Sequence, residues 1–185
     1  MKSKILVTGM HRAGTHFIAR CLAYNYGYNY YEERVIKYTK TELIDTLQEP
    51  FVLQAPFLAS ICHQFKDWLV VWVDRDDKEI INSLNNMRDE EGYPIYEMDI
   101  ELGERKRYNA TQTPKTILEI KRECWLEQRE RLPDHLELHY EAFKKHPLYV
   151  KERGDWIYNE PGTKFKEKKE HGTVIRVKHS ELVSR

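Results

Sequence analysis

The sequence predicts an α/β fold, a P-loop-like parallel sheet flanked by helices. Three observations carry that expectation. A short apolar strand, Ile5-Leu6-Val7-Thr8, runs into the glycine-bearing turn Gly9-Met10-His11-Arg12-Ala13-Gly14-Thr15-His16 and then into a helical pattern, Phe17 to Ala23. Trp68-Leu69-Val70-Val71-Trp72-Val73 is an unbroken apolar run, the mark of a strand buried on both faces. Strand-like and helix-like stretches alternate along the chain, as right-handed crossovers between parallel strands require. With 185 residues the chain is long enough for one domain with a real core and too short for two, so 1–185 is read as a single domain.

The elements follow in order. Helix one is expected from Gly14 to Tyr24, with Gly27 breaking the pattern. Tyr28 to Ile36 reads equally as strand or loop. Lys40 to Gln48 is a short helix with Thr41 as its N-cap and Leu43, Ile44 and Leu47 on one face. Phe51-Val52-Leu53-Gln54 is a strand ended by Pro56, and Phe57 to Phe65 is helical. After the strand Trp68–Val73, Asp77 to Arg88 is a helix with Ile80, Ile81 and Leu84 inward. Tyr93 to Thr113 is polar and irregular, a candidate substrate-facing segment. Pro114 to Leu132 is a long helix: proline suits its first position, and Ile117, Ile120, Cys124 and Leu126 recur at broadly helical spacing. Leu136 to Tyr140 is a strand, His146 to Trp156 a last helix, and Thr173 to Val177 a late strand.

Composition narrows the function classes. Lys+Arg and Asp+Glu are 30 each, so the formal net charge is zero. A general electrostatic affinity for nucleic acid or for an anionic membrane is therefore not expected. Three widely spaced cysteines with no Cys-x-x-Cys suggest neither a zinc site nor a disulfide framework. Cys21 and Cys124 sit in helical patterns and read as small core residues. There is no apolar leader and no apolar run near 18 residues, so a soluble cytoplasmic protein is the expectation. Several of the 12 tyrosines cluster between positions 24 and 31, where they either line a pocket or pack a half-buried strand.

The chemistry starts at the first turn. Strand, glycine-bearing turn and helix together form a cradle in which backbone N–H groups and the positive end of a helix dipole converge on an anion. Gly9-x4-Gly14 fits the outline of a Walker A loop. A nucleotide triphosphatase then needs Lys followed by Ser or Thr, for the terminal phosphates and for Mg²⁺. This chain has Thr15 and His16. The loop is built for phosphate without that lysine and without the magnesium hydroxyl; a strand-to-helix turn with chance glycines is the competing reading. A second anion site is suggested at the tip of the Trp68–Val73 strand. Arg75 supplies a charged fork there, and Ser83, eight residues on, supplies a hydroxyl. Against this, Arg75 has Asp74, Asp76 and Asp77 as ready partners, and Ser83 can be an ordinary helix-surface serine.

Together the two sites resemble the sulfotransferase family that uses 3′-phosphoadenosine 5′-phosphosulfate (PAPS). The family's basic-Ser-Gly-Thr-Thr loop is similar to Arg12-Ala13-Gly14-Thr15-His16, and its strand-end Arg with a Ser eight residues on is similar to Arg75 and Ser83. A His-Tyr-Glu element after a long helix resembles His139-Tyr140-Glu141. The closest resemblance is to the tyrosylprotein branch, whose Glu-Glu-Thr-Arg looks like Glu32-Glu33-Arg34-Val35-Ile36 and whose Lys-Asp-Pro-Phe looks like Gln54-Ala55-Pro56-Phe57. The similarity spans about positions 4 to 158.

The resemblance implies transfer of a sulfuryl group from PAPS to an acceptor hydroxyl, leaving adenosine 3′,5′-bisphosphate, with no metal. It implies that Arg12, Ala13, Gly14, Thr15 and His16 hold the 5′-phosphosulfate, and that Arg75, Ser83 and Tyr140 belong to the rest of the cofactor site. Arg12 would steady the leaving oxygens. His16, in place of the family's second Thr, would donate to the 5′-phosphate or assist proton transfer, or is simply a packed or surface histidine. Glu33 is the first candidate base and Glu32 the second; two solvated surface glutamates are the alternative. Where the tyrosylprotein branch has a lysine, this chain has Gln54, so a charge is missing. Lys164, Lys166, Lys168 and Lys169 either stand in for the cytosolic branch's Arg-Lys-Gly loop or form a solvated charge run. The acceptor is left open among a small alcohol, a glycan and a peptide tyrosine. The competing functions are a metabolite or nucleotide kinase with a degenerate P-loop, and a non-catalytic module binding PAPS or its product.

Overall fold

Five short apolar segments pair side by side into one all-parallel sheet in the order β2-β3-β1-β4-β5. The structure is a computed structural model and describes residues 2–37, 40–86, 113–146 and 148–149. The strands are β1 (Lys4–Gly9), β2 (Asn29–Glu32), β3 (Phe51–Gln54), β4 (Leu69–Asp74) and β5 (His135–His139), and the α-helices are α1 (Thr15–Tyr26), α2 (Asp77–Asn85) and α3 (Pro114–Arg129). This is the expected α/β architecture. The register puts Gln54 beside Val7 and Glu32 beside Gln54, and sets Gly9 beside Val73 and His139 beside Asp74. The carboxyl ends of the five strands therefore form one rim, where ligands of open α/β sheets sit.

Side chains alternate across the sheet and feed two cores. Ile5, Val7, Val71 and Val73 face one way, against Ile18 and Leu22 of α1, Ile80 and Leu84 of α2, and Ile117 and Ile120 of α3. Leu6, Leu53, Val70 and Trp72 face the other way, against Leu58, Trp68 and Trp125. Trp72 and Trp125 stack with ring centroids 5.0 Å apart. Burial on both faces explains why β1 and β4 read as continuous apolar runs. Burying each Leu, Ile or Val side chain contributes about 1.5–3 kcal/mol.

Several sequence expectations need adjusting. The ambiguous Tyr28–Ile36 stretch is edge strand β2 followed by a 3-10 helix, Glu33–Ile36. Tyr28, Tyr30 and Tyr31 are buried in it, so the tyrosine cluster is largely core packing. The expected helix at Lys40–Gln48 is a 3-10 helix, Thr41–Thr46. Lys40 caps it, not Thr41, because the chain closes i→i+3 bonds such as Leu43 N–H to the Lys40 carbonyl. Pro56–Gln64 is also 3-10, with the proline at its first turn. Helix α1 runs to Tyr26 and stops at Gly27, whose φ of 67° suits a residue without Cβ. In α3, Ile117, Ile120 and Cys124 face inward, but Leu126 is exposed because it falls off the apolar face. All three cysteines are buried and none forms a disulfide. No helix among the described residues is long and apolar enough to cross a membrane. The Tyr93–Thr113 segment apart from Thr113, most of the last helix, the lysine cluster and the late strand lie outside the described residues.

Candidate functional site

The turn between β1 and α1 owes its shape to two unusual backbone positions. Arg12 has φ 68°, in the left-handed region that a side chain rarely adopts, and Gly14 has φ 92°. A Cβ on Gly14 would lie 2.3 Å from the Tyr140 ring, so the loop and the start of the Tyr140–Phe143 3-10 helix fit together only with glycine there. The Ala13 N–H bonds the Met10 carbonyl, tightening the turn. Gly14 caps α1 with no side chain, and the first turn of the helix carries no acidic residue. The leading N–H groups of α1 thus project a positive potential at the rim with no carboxylate of the first turn to cancel it.

On the β4 side of the loop, Arg12, Arg75 and Ser83 come together. Arg12 Nε donates to Ser83 Oγ at 2.8 Å, and Arg75 Nη1 donates to the Arg12 carbonyl at 3.4 Å. The Arg75 guanidinium lies over the Tyr140 ring, 4.6 Å from its centroid, and Nη2 pairs with Glu79 at 2.8 Å. Its Nε is buried with no hydrogen-bond partner among the described residues. The aspartates that the sequence offered to the Arg75 guanidinium are engaged elsewhere. Asp76 caps α2 through the Lys78 and Glu79 N–H groups. Asp74 and Asp77 hold Arg122 of α3 at 2.9 and 2.6 Å, which pushes the Arg122 pKa above its usual value, and Asp74 also accepts from the Arg75 backbone N–H. That clamp fixes the tip of β4. Ser83 accepts from Arg12 and so has its own O–H to give. A donor set with an unmatched N–H and an available hydroxyl fits an anion such as a phosphate.

On the β2 side, a second group forms around His16. Its Nδ1 lies 3.0 Å from the Tyr30 hydroxyl and 3.5 Å from a Glu32 oxygen, and the Tyr30 hydroxyl lies 3.4 Å from the same oxygen. The His16 side chain is 51% exposed and Glu32 17%. The His16 pKa lies below the usual imidazole value, chiefly because neighbours displace water from the ring; Glu32 opposes the shift, and Arg34, Arg20 and His11 add to it. Burial, with Glu32 beside it, holds the Tyr30 phenol well above its usual pKa, so it stays protonated. Gln54, 1% exposed, donates through Nε2 to Thr15 Oγ1 at 3.1 Å, while its Oε1 is buried with no partner among the described residues.

The eight positions predicted for the cofactor and for catalysis on the loop, β4, α2 and the Tyr140 turn thus share one rim. Glu33 is 8% exposed and opens the 3-10 helix after β2, whereas Glu32 is the strand-end carboxylate that faces His16. Sequence reasoning missed the Tyr30 hydroxyl and the role of Gln54. The period-2 alternation of β2, which puts Tyr30 and Glu32 on one side, was the available signal. It also missed a buried cluster behind α1: Cys21 Sγ to His146 Nδ1 at 3.2 Å, and His146 Nε2 to Asn25 Oδ1 at 3.2 Å. Burial raises the Cys21 thiol pKa and lowers His146 to about 4, so this cluster is an uncharged tie and not an activated nucleophile. No protein-family model matches this chain, and no curated protein matches it.

Proposed function

We propose that the chain is a PAPS-dependent sulfotransferase that moves a sulfuryl group to an acceptor hydroxyl without a metal ion. The observation that carries this reading is the gathering of Arg12, Arg75 and Ser83 beside the first turn of α1, with Thr15 and His16 where a triphosphatase has Lys and Ser or Thr. The loop N–H groups and Arg12 would hold the 5′-phosphosulfate. Arg75, with its unmatched Nε, and Ser83 would hold the 3′-phosphate, while Tyr140 backs Arg75 from below. A sulfuryl group carries less charge than a terminal phosphoryl group, so arginine and oriented N–H groups are enough to balance what develops during transfer.

The acceptor would approach from the β2 and β3 side, where the end of β2 presents Glu32 and Gln54 lies buried beneath it against Thr15. The groups that move the proton belong to that end of β2. Glu32, the second candidate from the sequence, is the carboxylate there whose contacts reach His16 and Tyr30, which supports a part for it in that step. Gln54 favours a second reading, a module that binds PAPS or its product without turnover, because a neutral amide supplies no charge to the transferred group.

Incubation with PAPS and a panel of phenolic, sugar and aliphatic hydroxyl acceptors in EDTA distinguishes these readings. Release of adenosine 3′,5′-bisphosphate together with a sulfated acceptor is the expected outcome. Glu32→Gln is expected to lower turnover by roughly 10²-fold or more, and Glu33→Gln by much less. Tight binding without release would leave the module. Consumption of ATP only when Mg²⁺ is present would establish the kinase instead.

A further inference from the structure

Three hydrogen-bonding groups on the β2 side of the rim have one arrangement that satisfies every contact between them. A carboxylate only accepts, so the Glu32 oxygen at 3.4 Å must receive the Tyr30 O–H. The Tyr30 oxygen is then the acceptor for His16 Nδ1–H at 3.0 Å. With its proton on Nδ1, the imidazole carries its lone pair on Nε2. That atom makes no hydrogen bond among the described residues and belongs to a half-exposed side chain. A nucleophile's base held in one tautomer by a carboxylate behind it is the general logic of general-base triads. His16 also sits two residues after Gly14, in the first turn of α1, beside Thr15, which Gln54 holds from the neighbouring strand.

We propose that the Glu32 carboxylate acts through Tyr30 and His16, and that His16 Nε2 is the atom that takes the proton from the acceptor hydroxyl. The proposal rests on the sulfotransferase reading. The acceptor O–H bond breaks and its proton passes to Nε2. The acceptor oxygen bonds to sulfur, and the bond from sulfur to the 5′-phosphate oxygen breaks, its electron pair leaving with adenosine 3′,5′-bisphosphate. Glu32 and Tyr30 are positioning residues: they fix the tautomer and offset the imidazolium charge that forms. Water displaced from the ring, together with the cations Arg34 and Arg20 and the neighbouring His11, keeps His16 neutral near pH 7, as a base must be. Glu32 pulls in the opposite sense.

Two measurements test it, one of which needs no turnover. The first is NMR titration of the His16 ring in the protein with adenosine 3′,5′-bisphosphate present, and again without it. The wild-type pKa is expected below the usual imidazole value, with the neutral ring protonated on Nδ1. Glu32→Gln is expected to lower it further, since the opposing carboxylate is gone. Tyr30→Phe, a conservative change, is expected to abolish the fixed tautomer. An unchanged pKa in Glu32→Gln together with an unchanged tautomer in Tyr30→Phe would overturn the chain of contacts whatever the protein's activity. The second is turnover of PAPS with phenol, alcohol and water as acceptors. His16→Ala is expected to reduce kcat by roughly 10²–10⁴-fold, to keep affinity for adenosine 3′,5′-bisphosphate within about fivefold, and to recover activity with added imidazole. The acid limb of the pH profile should disappear with it. Full activity of His16→Ala, or loss without imidazole rescue and without a change in the pH profile, would overturn the assignment. Failure of the wild-type protein to bind adenosine 3′,5′-bisphosphate would instead remove the sulfotransferase reading on which the step depends, while the titration still decides the contacts.

Discussion

Arg75 is the residue on which the ligand reading depends most. One of its donors is tied to Glu79 and one to the Arg12 carbonyl, and the ring of Tyr140 lies under its plane. The guanidinium is held in place before any ligand arrives, with Nε unmatched. Removing a charge-assisted hydrogen bond from such a site costs about 1.5–3 kcal/mol. Arg75→Ala is therefore expected to weaken adenosine 3′,5′-bisphosphate by at least tenfold more than adenosine 5′-monophosphate, which has no 3′-phosphate. Calorimetry with both ligands checks this, and equal losses would place Arg75 elsewhere. Gly14 is the second informative position. Gly14→Ala sets a methyl against the Tyr140 ring and strains a backbone at φ 92°. A loss of stability of about 1–3 kcal/mol is expected, together with weaker ligand binding. Tyr140→Ala in the same background is expected to restore part of the stability, because it removes the ring that the methyl meets.

At the scale of elements, the tie between α1 and the segment after β5 has its own pH signature. His146 is buried against Phe17, Tyr24 and Phe143 and hydrogen-bonded to Cys21 and Asn25. Its pKa is lowered to about 4 from an unfolded value near 6.5. The unfolded chain binds the extra proton first, so the contribution is fully present above about pH 6.5 and is lost as pH falls towards 4. Between pH 7 and pH 5 the loss is on the order of 2 kcal/mol. Urea unfolding at pH 7 and pH 5 measures it, and His146→Gln is expected to remove most of the difference between the two curves. Cysteine chemistry reports on the packing of both cores. Burial pushes Cys62 up to about 12 and raises Cys21 as well. Neither is expected to react with iodoacetamide at pH 8 until urea unfolds the chain, as mass spectrometry of the labelled peptides would show.

Most of the elements were legible because their signals are local. The runs at β1 and β4 are unbroken because both faces are buried, and Gly27 and Pro114 mark their helix ends by backbone chemistry alone. For the 3-10 helices Thr41–Thr46 and Pro56–Gln64 the sequence predicts helix without its type, because hydrophobic spacing over fewer than ten residues does not separate 3-10 from α. Arg75 and Ser83 were legible as a pair because they follow one strand tip, whereas the Arg12–Ser83 hydrogen bond spans 71 positions and was not. The contacts of Glu32 and Tyr30 with His16 were not legible either, since His16 lies 14 residues or more away in sequence and only the sheet order brings β2 beside the loop. The Cys21–His146 tie spans 125 positions and leaves no periodic trace.

For the whole molecule, the sheet order divides the rim into two halves around the β1 loop. The β4 half holds cations and a hydroxyl suited to a phosphate, and the β2 half holds a carboxylate, a phenol and an imidazole suited to moving a proton. A donor nucleotide on one half and an acceptor on the other would meet over Gly14. On the proposed function, this rim takes adenosine 3′,5′-bisphosphate and its sulfated form without a metal. Calorimetry of the intact chain in EDTA, comparing adenosine 3′,5′-bisphosphate with adenosine 5′-monophosphate, and a matched titration of ATP with Mg²⁺, test it most directly. Undiminished binding of the bisphosphate in EDTA is expected, with an affinity at least tenfold above that of either other ligand. Preference for ATP with Mg²⁺, or no discrimination between bisphosphate and monophosphate, would contradict it.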